Sequence, residues 1–114
     1  MYPLVIISHE NDIFRSSLQE KLLDFGYNYV IISKMKDILN IEDRCKFCIV
    51  IFDLCDDEFW SFSNSELVDT YLPKVSFLPV NATHYAIDDP HKIETYCNMV
   101  ALTAKLSRWR YPGK

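Results

Sequence analysis

The sequence predicts one α/β domain organised on a doubly wound, mostly parallel sheet, and three observations predict it. Phe47-Cys48-Ile49-Val50-Ile51-Phe52 is an apolar run without a polar break, closed by Asp53. A run of that length bounded by charge reads as a strand buried on both faces, the situation of parallel strands covered by helices. Shorter apolar runs at Leu4–Ile7 and Tyr29–Ile32 are separated by Phe14, Leu18, Leu22 and Phe25 at helical spacing; such strand–helix alternation is the mark of βαβ units. Finally, 114 residues with 49% hydrophobic and 25% charged content suffice for one core without disulfide or metal staples, and exclude disorder.

Taken in order, Leu4–Ile7 is the first strand. Ser8 to Asp12 is a polar turn in which Asn11 or Asp12 can cap the following helix, whose acids also suit its N-terminal dipole. Gly26 falls just past that helix, where a left-handed residue is wanted. Tyr29–Ile32 is the second strand, and Ser33 stands as the N-cap of a short helix carrying Met35, Ile38 and Leu39. Cys48–Phe52 is the third strand. In open parallel sheets, ligands and chemistry sit at the carboxyl ends of strands, where Asp53 is placed; the plainer reading is that Asp53 stops the strand and caps the next turn.

Asp56-Asp57-Glu58 reads as an acidic loop interrupted by Phe59, Trp60 and Phe62, which serve either as a core lid or as an aromatic interaction surface. Ser63 and Glu66 have capping-box spacing before a third helix bearing Leu67, Val68, Tyr71 and Leu72, stopped by Pro73. Val75–Val80 is a fourth strand. Pro79 cannot donate to a ladder, so it belongs at a strand end or a sheet edge. His84–Ile87 is a short fifth strand, and a long helix runs from about Pro90, well suited to a first turn, to Trp109. Only Asn81, Ala82 and Thr83 separate Val80 from His84, whereas a parallel crossover needs about ten to twelve residues. The fourth helix of a regular winding is therefore missing or replaced by a loop.

The last helix is apolar on two sides. Ile93, Tyr96, Cys97, Val100 and Ala104 make one face, while Met99, Leu102, Leu106 and Trp109 make a second. A helix apolar on two sides is buried on two sides. The first face belongs on the sheet; the second either meets a partner or a twin subunit, or covers the gap left by the absent helix. The domain spans residues 1–110, and 111–114 is a disordered tail.

Several function classes are excluded by composition. A net charge of −4 without a Lys/Arg-rich run gives no electrostatic case for direct nucleic-acid binding. No apolar run is long enough to span a membrane, and no basic-then-apolar leader opens the chain, so a soluble cytoplasmic protein is expected. Cys45 and Cys48 have C-x-x-C spacing but lead into a strand rather than opening a helix, and no second pair completes a metal site. Cys48 and Cys97 read as small core hydrophobes. With Gly26 and Gly113 as its sole glycines, the chain has no phosphate-binding loop.

Ile6-Ile7-Ser8-His9-Glu10-Asn11-Asp12-Ile13-Phe14-Arg15, followed by Leu18 and Leu22, resembles the opening of a response-regulator receiver domain, and Cys48–Leu54 resembles that family's third strand. The resemblance extends from Leu4 to about Leu106 and implies a receiver-like, flavodoxin-like fold. It implies further that Asp53 matches the phospho-acceptor and Glu10 the second of two acids that bind magnesium. His9 falls where the first acid is expected, and histidine is a poor ligand for that hard cation; Asp12 is the alternative. The family's hydroxyl residue meets Pro79, with Ser76 and Thr83 nearby but out of register, and its lysine before a proline meets Asp89-Pro90.

These departures have a physical meaning. Phosphoryl transfer relies on metal and cationic groups to stabilise the moving charge, and here Asp57 and Asp89 are expected to crowd the same end of the sheet as Asp53 and its acidic pocket of Glu10, Asp12 and Asp56, with no cation at the motif positions. The expectation is a degenerate receiver, a pseudo-receiver: a non-enzymatic signalling or regulatory interaction module without cofactor or metal. Its partner is a signalling or regulatory protein, or a second copy bound through the C-terminal helix at Met99, Leu102, Leu106 and Trp109. The alternatives are a phospho-accepting receiver using Asp53, with magnesium only in that case, and a small flavodoxin-like ligand or redox protein using Cys45 and Cys48. If the domain serves a transcription regulator, the output part lies outside this chain.

Overall fold

The computed structural model describes residues 3–81 and 89–110, and of Cys45 and residues 107–110 the backbone alone. Four strands, β1 (Leu4–Ser8), β2 (Tyr29–Ile31), β3 (Cys48–Asp53) and β4 (Val75–Val80), form one sheet in the order β2-β1-β3-β4, and every pairing is parallel. This is an α/β architecture compatible with a flavodoxin-like fold. The expected fifth strand, His84–Ile87, lies outside the described residues, so a five-strand receiver order is not present among them.

β3 is the spine of the sheet. Cys48 to Phe52 have no exposed surface, because alternate side chains enter two separate cores. Ile49 and Ile51 join Val5, Ile7, Leu78 and Val80 on one face. Cys48, Val50 and Phe52 join Ile6 on the other. The unbroken apolar run thus reports burial on both sides, as expected of a covered parallel strand.

The first face is covered by α1 (Asp12–Asp24) and α4 (Pro90–Arg110). Asn11 caps α1, its Oδ1 accepting from the Phe14 amide at 2.9 Å. The helix ends in a Schellman arrangement: the Gly26 amide donates to the Leu23 carbonyl and the Tyr27 amide to that of Leu22, with Gly26 at φ 86°. The glycine placed by sequence at this helix end is required by its backbone.

The second face is covered by short pieces. The expected helix after β2 is two 3-10 turns, Met35–Asn40 and Glu42–Cys45. Ser33 does not cap it through its side chain; the Asp37 carboxylate reaches back to the Ser33 and Lys34 amides instead. Asp57–Ser63, read as a loop in sequence, is a helix, α2, with Asp56 as its N-cap accepting from Phe59. α3 spans only Leu67–Tyr71, and the Ser63–Glu66 capping box does not form, since the Ser63 hydroxyl donates to the Trp60 carbonyl. That hydroxyl closes the end of α2, an element whose existence changes the role of Ser63.

β4 is the edge of the sheet among the described strands. Pro79 sits on it opposite Phe52, one residue before the strand ends, where a residue lacking an amide proton is tolerated. α4 packs beside α1: Pro90, Ile93 and Glu94 lie against Ser17, Glu20, Lys21 and Asp24, and Tyr96 lies against Phe14 and donates to the Asn81 carbonyl after β4.

Candidate functional site

Parallel strands deliver their following residues to one end of the sheet. Here β1 delivers Ser8, His9 and Glu10, and β3 delivers Asp53. The chain winds from β1 outward to β2, then crosses back to β3, so a crevice opens between the carboxyl ends of β1 and β3. An open cleft of about 680 Å³ occupies this place. Its walls carry Glu10, Asp53, Asp56, Asp57 and Glu58, with Arg15, Ser33 and Cys55.

Of the acids expected to gather, Glu10, Asp53, Asp56 and Asp57 line the cleft, and Asp12 and Asp89 do not. The Asp12 carboxylate is 85% exposed and paired with Arg15 one turn along α1. Helix geometry explains this: residues three apart are neighbours on the helix surface, which draws Asp12 to the guanidinium rather than back to the strand end. Asp89 is engaged elsewhere, its Oδ1 accepting from the His91 amide at the start of α4.

Arg15, Ser33 and Glu58 were not singled out as cleft residues in the sequence. Arg15 lines the cleft from the first turns of α1, and its guanidinium also donates to the His9 carbonyl. The signal available was its place three residues after Asp12. Asp57 and Glu58 enter on α2, whose Phe59 and Phe62 at helical spacing were the sign of a helix.

His9 is the buried titratable group of the site. Its side chain is 4% exposed, with the ring against Phe14 at a centroid distance of 4.5 Å. Its Nδ1 accepts from the Asn11 amide at 3.1 Å. A neutral imidazole has one donor and one acceptor nitrogen, so the proton resides on Nε2. Nε2 is buried, lies 3.4 Å from Asp53 Oδ2, and makes no hydrogen bond of good geometry. Burial pushes the His9 pKa below its ordinary value; the Asp53 carboxylate pulls the other way, the Arg15 guanidinium adds to the lowering, and Glu10 opposes it.

The Asp53 carboxylate is about one-third exposed, and its Oδ1 accepts from the Cys55 amide at 2.9 Å. Asp53 thus organises the turn after β3 and also faces the cleft. Across the sheet, Val80, not Pro79, is in register with Asp53. Val80 is 1% exposed, so a hydrocarbon stands beside the carboxylate where a receiver would place a hydroxyl. Ser76 is opposite Ile49, four positions earlier, or roughly 13 Å along the strand. Thr83 lies outside the described residues.

These residues do not fit a magnesium ion held between His9 and Asp53. His9 presents an N–H, not a lone pair, toward the carboxylate, and magnesium takes oxygen ligands. Among the described residues no group of three or more His, Cys, Asp or Glu side chains is placed to hold a metal ion.

The aromatics beside the site are core more than surface. Phe59 and Phe62 are buried and pack with Phe52 and Phe77, while half-buried Trp60 meets Phe52 edge-on at 5.4 Å and donates to the Leu54 carbonyl. Cys48 has no exposed surface and directs its sulfur at backbone carbonyls of Asp43, Arg44 and Lys46, which leaves the redox reading without an accessible thiol at that position.

On α4 the two faces separate as expected. Ile93, Cys97 and Val100 are buried. Met99, Leu102 and Leu106 are exposed by 38%, 58% and 60%, so they do not fill a gap in the fold. The Trp109 side chain lies outside the described residues, as do residues 111–114. No described helix is long and apolar enough to cross a membrane. No protein-family model, curated protein or solved structure matches the chain.

Proposed function

We propose that this domain is a non-catalytic signalling module of receiver-like, pseudo-receiver type, acting through protein–protein contacts without phosphorylation of Asp53. The observation that carries the reading is the pair of neighbours on Asp53: the N–H of buried His9 on one side and the buried Val80 side chain on the other. A phosphoryl group arriving there would meet four further carboxylates, Glu10, Asp56, Asp57 and Glu58, with Arg15 as the Lys/Arg cation of the described lining and Val80 rather than a hydroxyl residue in register on β4. Like charges at such a site raise the cost of adding negative charge. The exposed Met99, Leu102 and Leu106 on α4 supply the contact surface. A cytoplasmic setting belongs to the same reading, and the thiols of Cys48, Cys55 and Cys97 suit a reducing compartment.

The phospho-accepting reading keeps one observation in its favour: Asp53 ends β3 in an open cleft and is reachable from solvent. Amide NMR spectra with beryllium fluoride and magnesium, a phosphoryl mimic, separate the two. The module reading requires unchanged amides from Asp53 through α2. Large shifts there that vanish in Asp53→Ala would establish the alternative.

A further inference from the structure

We infer that the outward face of α4 docks an acidic amphipathic helix of a partner protein, an inference that rests on the interaction-module reading above. Met99, Leu102 and Leu106 follow one another at spacings of three and four and are all exposed. They draw a line of roughly 10 Å along the helix, two turns on which a second helix can be laid in contact. Apolar anchors at such spacing are how helices recognise helices.

Charge selects the occupant. α4 carries Lys92, Lys105, Arg108 and Arg110, four of the chain's twelve Lys/Arg residues, against Glu94, one of its sixteen acids. Lys92 and Lys105 are exposed beside the stripe. The rest of the chain is correspondingly acidic, and the cleft at the strand ends most of all. An acidic ligand is therefore repelled from most of this surface and attracted to α4, which gives both orientation and discrimination. A second copy is a poorer occupant, since α4 against α4 sets the exposed Lys92 and Lys105 of one copy against those of the other. A lipid surface is poorer as well. Its helices insert a broad apolar face, whereas the apolar residues on the opposite side of α4 are spent on the sheet and Thr95, Asn98 and Thr103 interrupt the exposed one.

Selection from a display library of helix-forming peptides with randomised surface positions, on the intact domain, tests this. Enriched peptides are expected to combine Asp/Glu with an apolar stripe and to weaken with salt. Their affinity should fall roughly thirtyfold for Leu102→Glu, as for a hot spot, and roughly fivefold for the milder Lys105→Glu. Neutral or basic peptides that still depend on Leu102 would overturn the acidic partner while leaving the module reading intact. Failure to enrich any peptide sensitive to either substitution would overturn both. Sedimentation of the domain with phosphatidylserine vesicles, lost in Leu102→Glu, would overturn the protein partner in favour of a lipid surface.

Discussion

His9 Nε2 lies 3.4 Å from Asp53 Oδ2, and the Asn11 amide fixes which nitrogen of that ring bears the proton. The carboxylate at the end of the central strand thus faces a buried neutral donor. Protonating His9 would put a second hydrogen on Nδ1, against the Asn11 N–H, on a side chain that is almost wholly buried.

This gives a pH dependence with a definite sign. The folded-state pKa of His9 lies below its unfolded value of 6.5. Between the two, the unfolded chain binds the extra proton, so stability rises with pH and is lost as pH falls below 6.5. Urea unfolding of the parent across that window is expected to show the slope. His9→Asn, whose amide oxygen can still accept from Asn11, should flatten it, and an unchanged slope would remove His9 as its source.

The two faces of α4 should respond oppositely to truncation. Val100→Ala deletes fully buried methyls and is expected to cost about 1–2 kcal/mol. Leu102→Ala, at a position 58% exposed, should stay within about 0.5 kcal/mol. Denaturant midpoints measure both, and a large loss at Leu102 would place that residue in the monomer's core.

Gly26→Ala should destabilise by about 1 kcal/mol, because its φ of 86° suits glycine alone among common residues. A comparable loss, about 1 kcal/mol, is expected for Asn11→Ala through the lost cap to Phe14. Asn11→Asp, which keeps an acceptor oxygen, should restore most of it. Equal losses in the alanine and aspartate variants would deny the cap.

Thiol labelling should divide the cysteines. Exposed Cys55 should react rapidly in the native protein. Cys48 and Cys97 should react only on unfolding, since both are buried and desolvation raises the Cys97 thiol to about 11. Peptide mapping after timed labelling reads this out, and fast native labelling of Cys48 would revive the redox reading.

Much of this architecture was legible because its signals are strong and local. The unbroken run from Phe47 to Phe52 reported two-sided burial; Asn11 and Gly26 marked the ends of α1; Pro79 marked an edge. The site was half legible. Strand ends place Glu10 and Asp53 by geometry alone. Asp12 was misplaced because a surface pairing with Arg15 outweighs proximity in sequence. α2 was missed because Asp56-Asp57-Glu58 is equally the composition of a loop and of a first helical turn, and only the packing of Phe59 and Phe62 against Phe52 decides between them.

The most direct measurement is intact mass after incubation with acetyl phosphate and magnesium, with Asp53→Ala alongside. The account predicts an unmodified parent, indistinguishable from the variant. A phosphoryl adduct on the parent, absent from Asp53→Ala, would contradict it and make the carboxylate beside His9 a working acceptor.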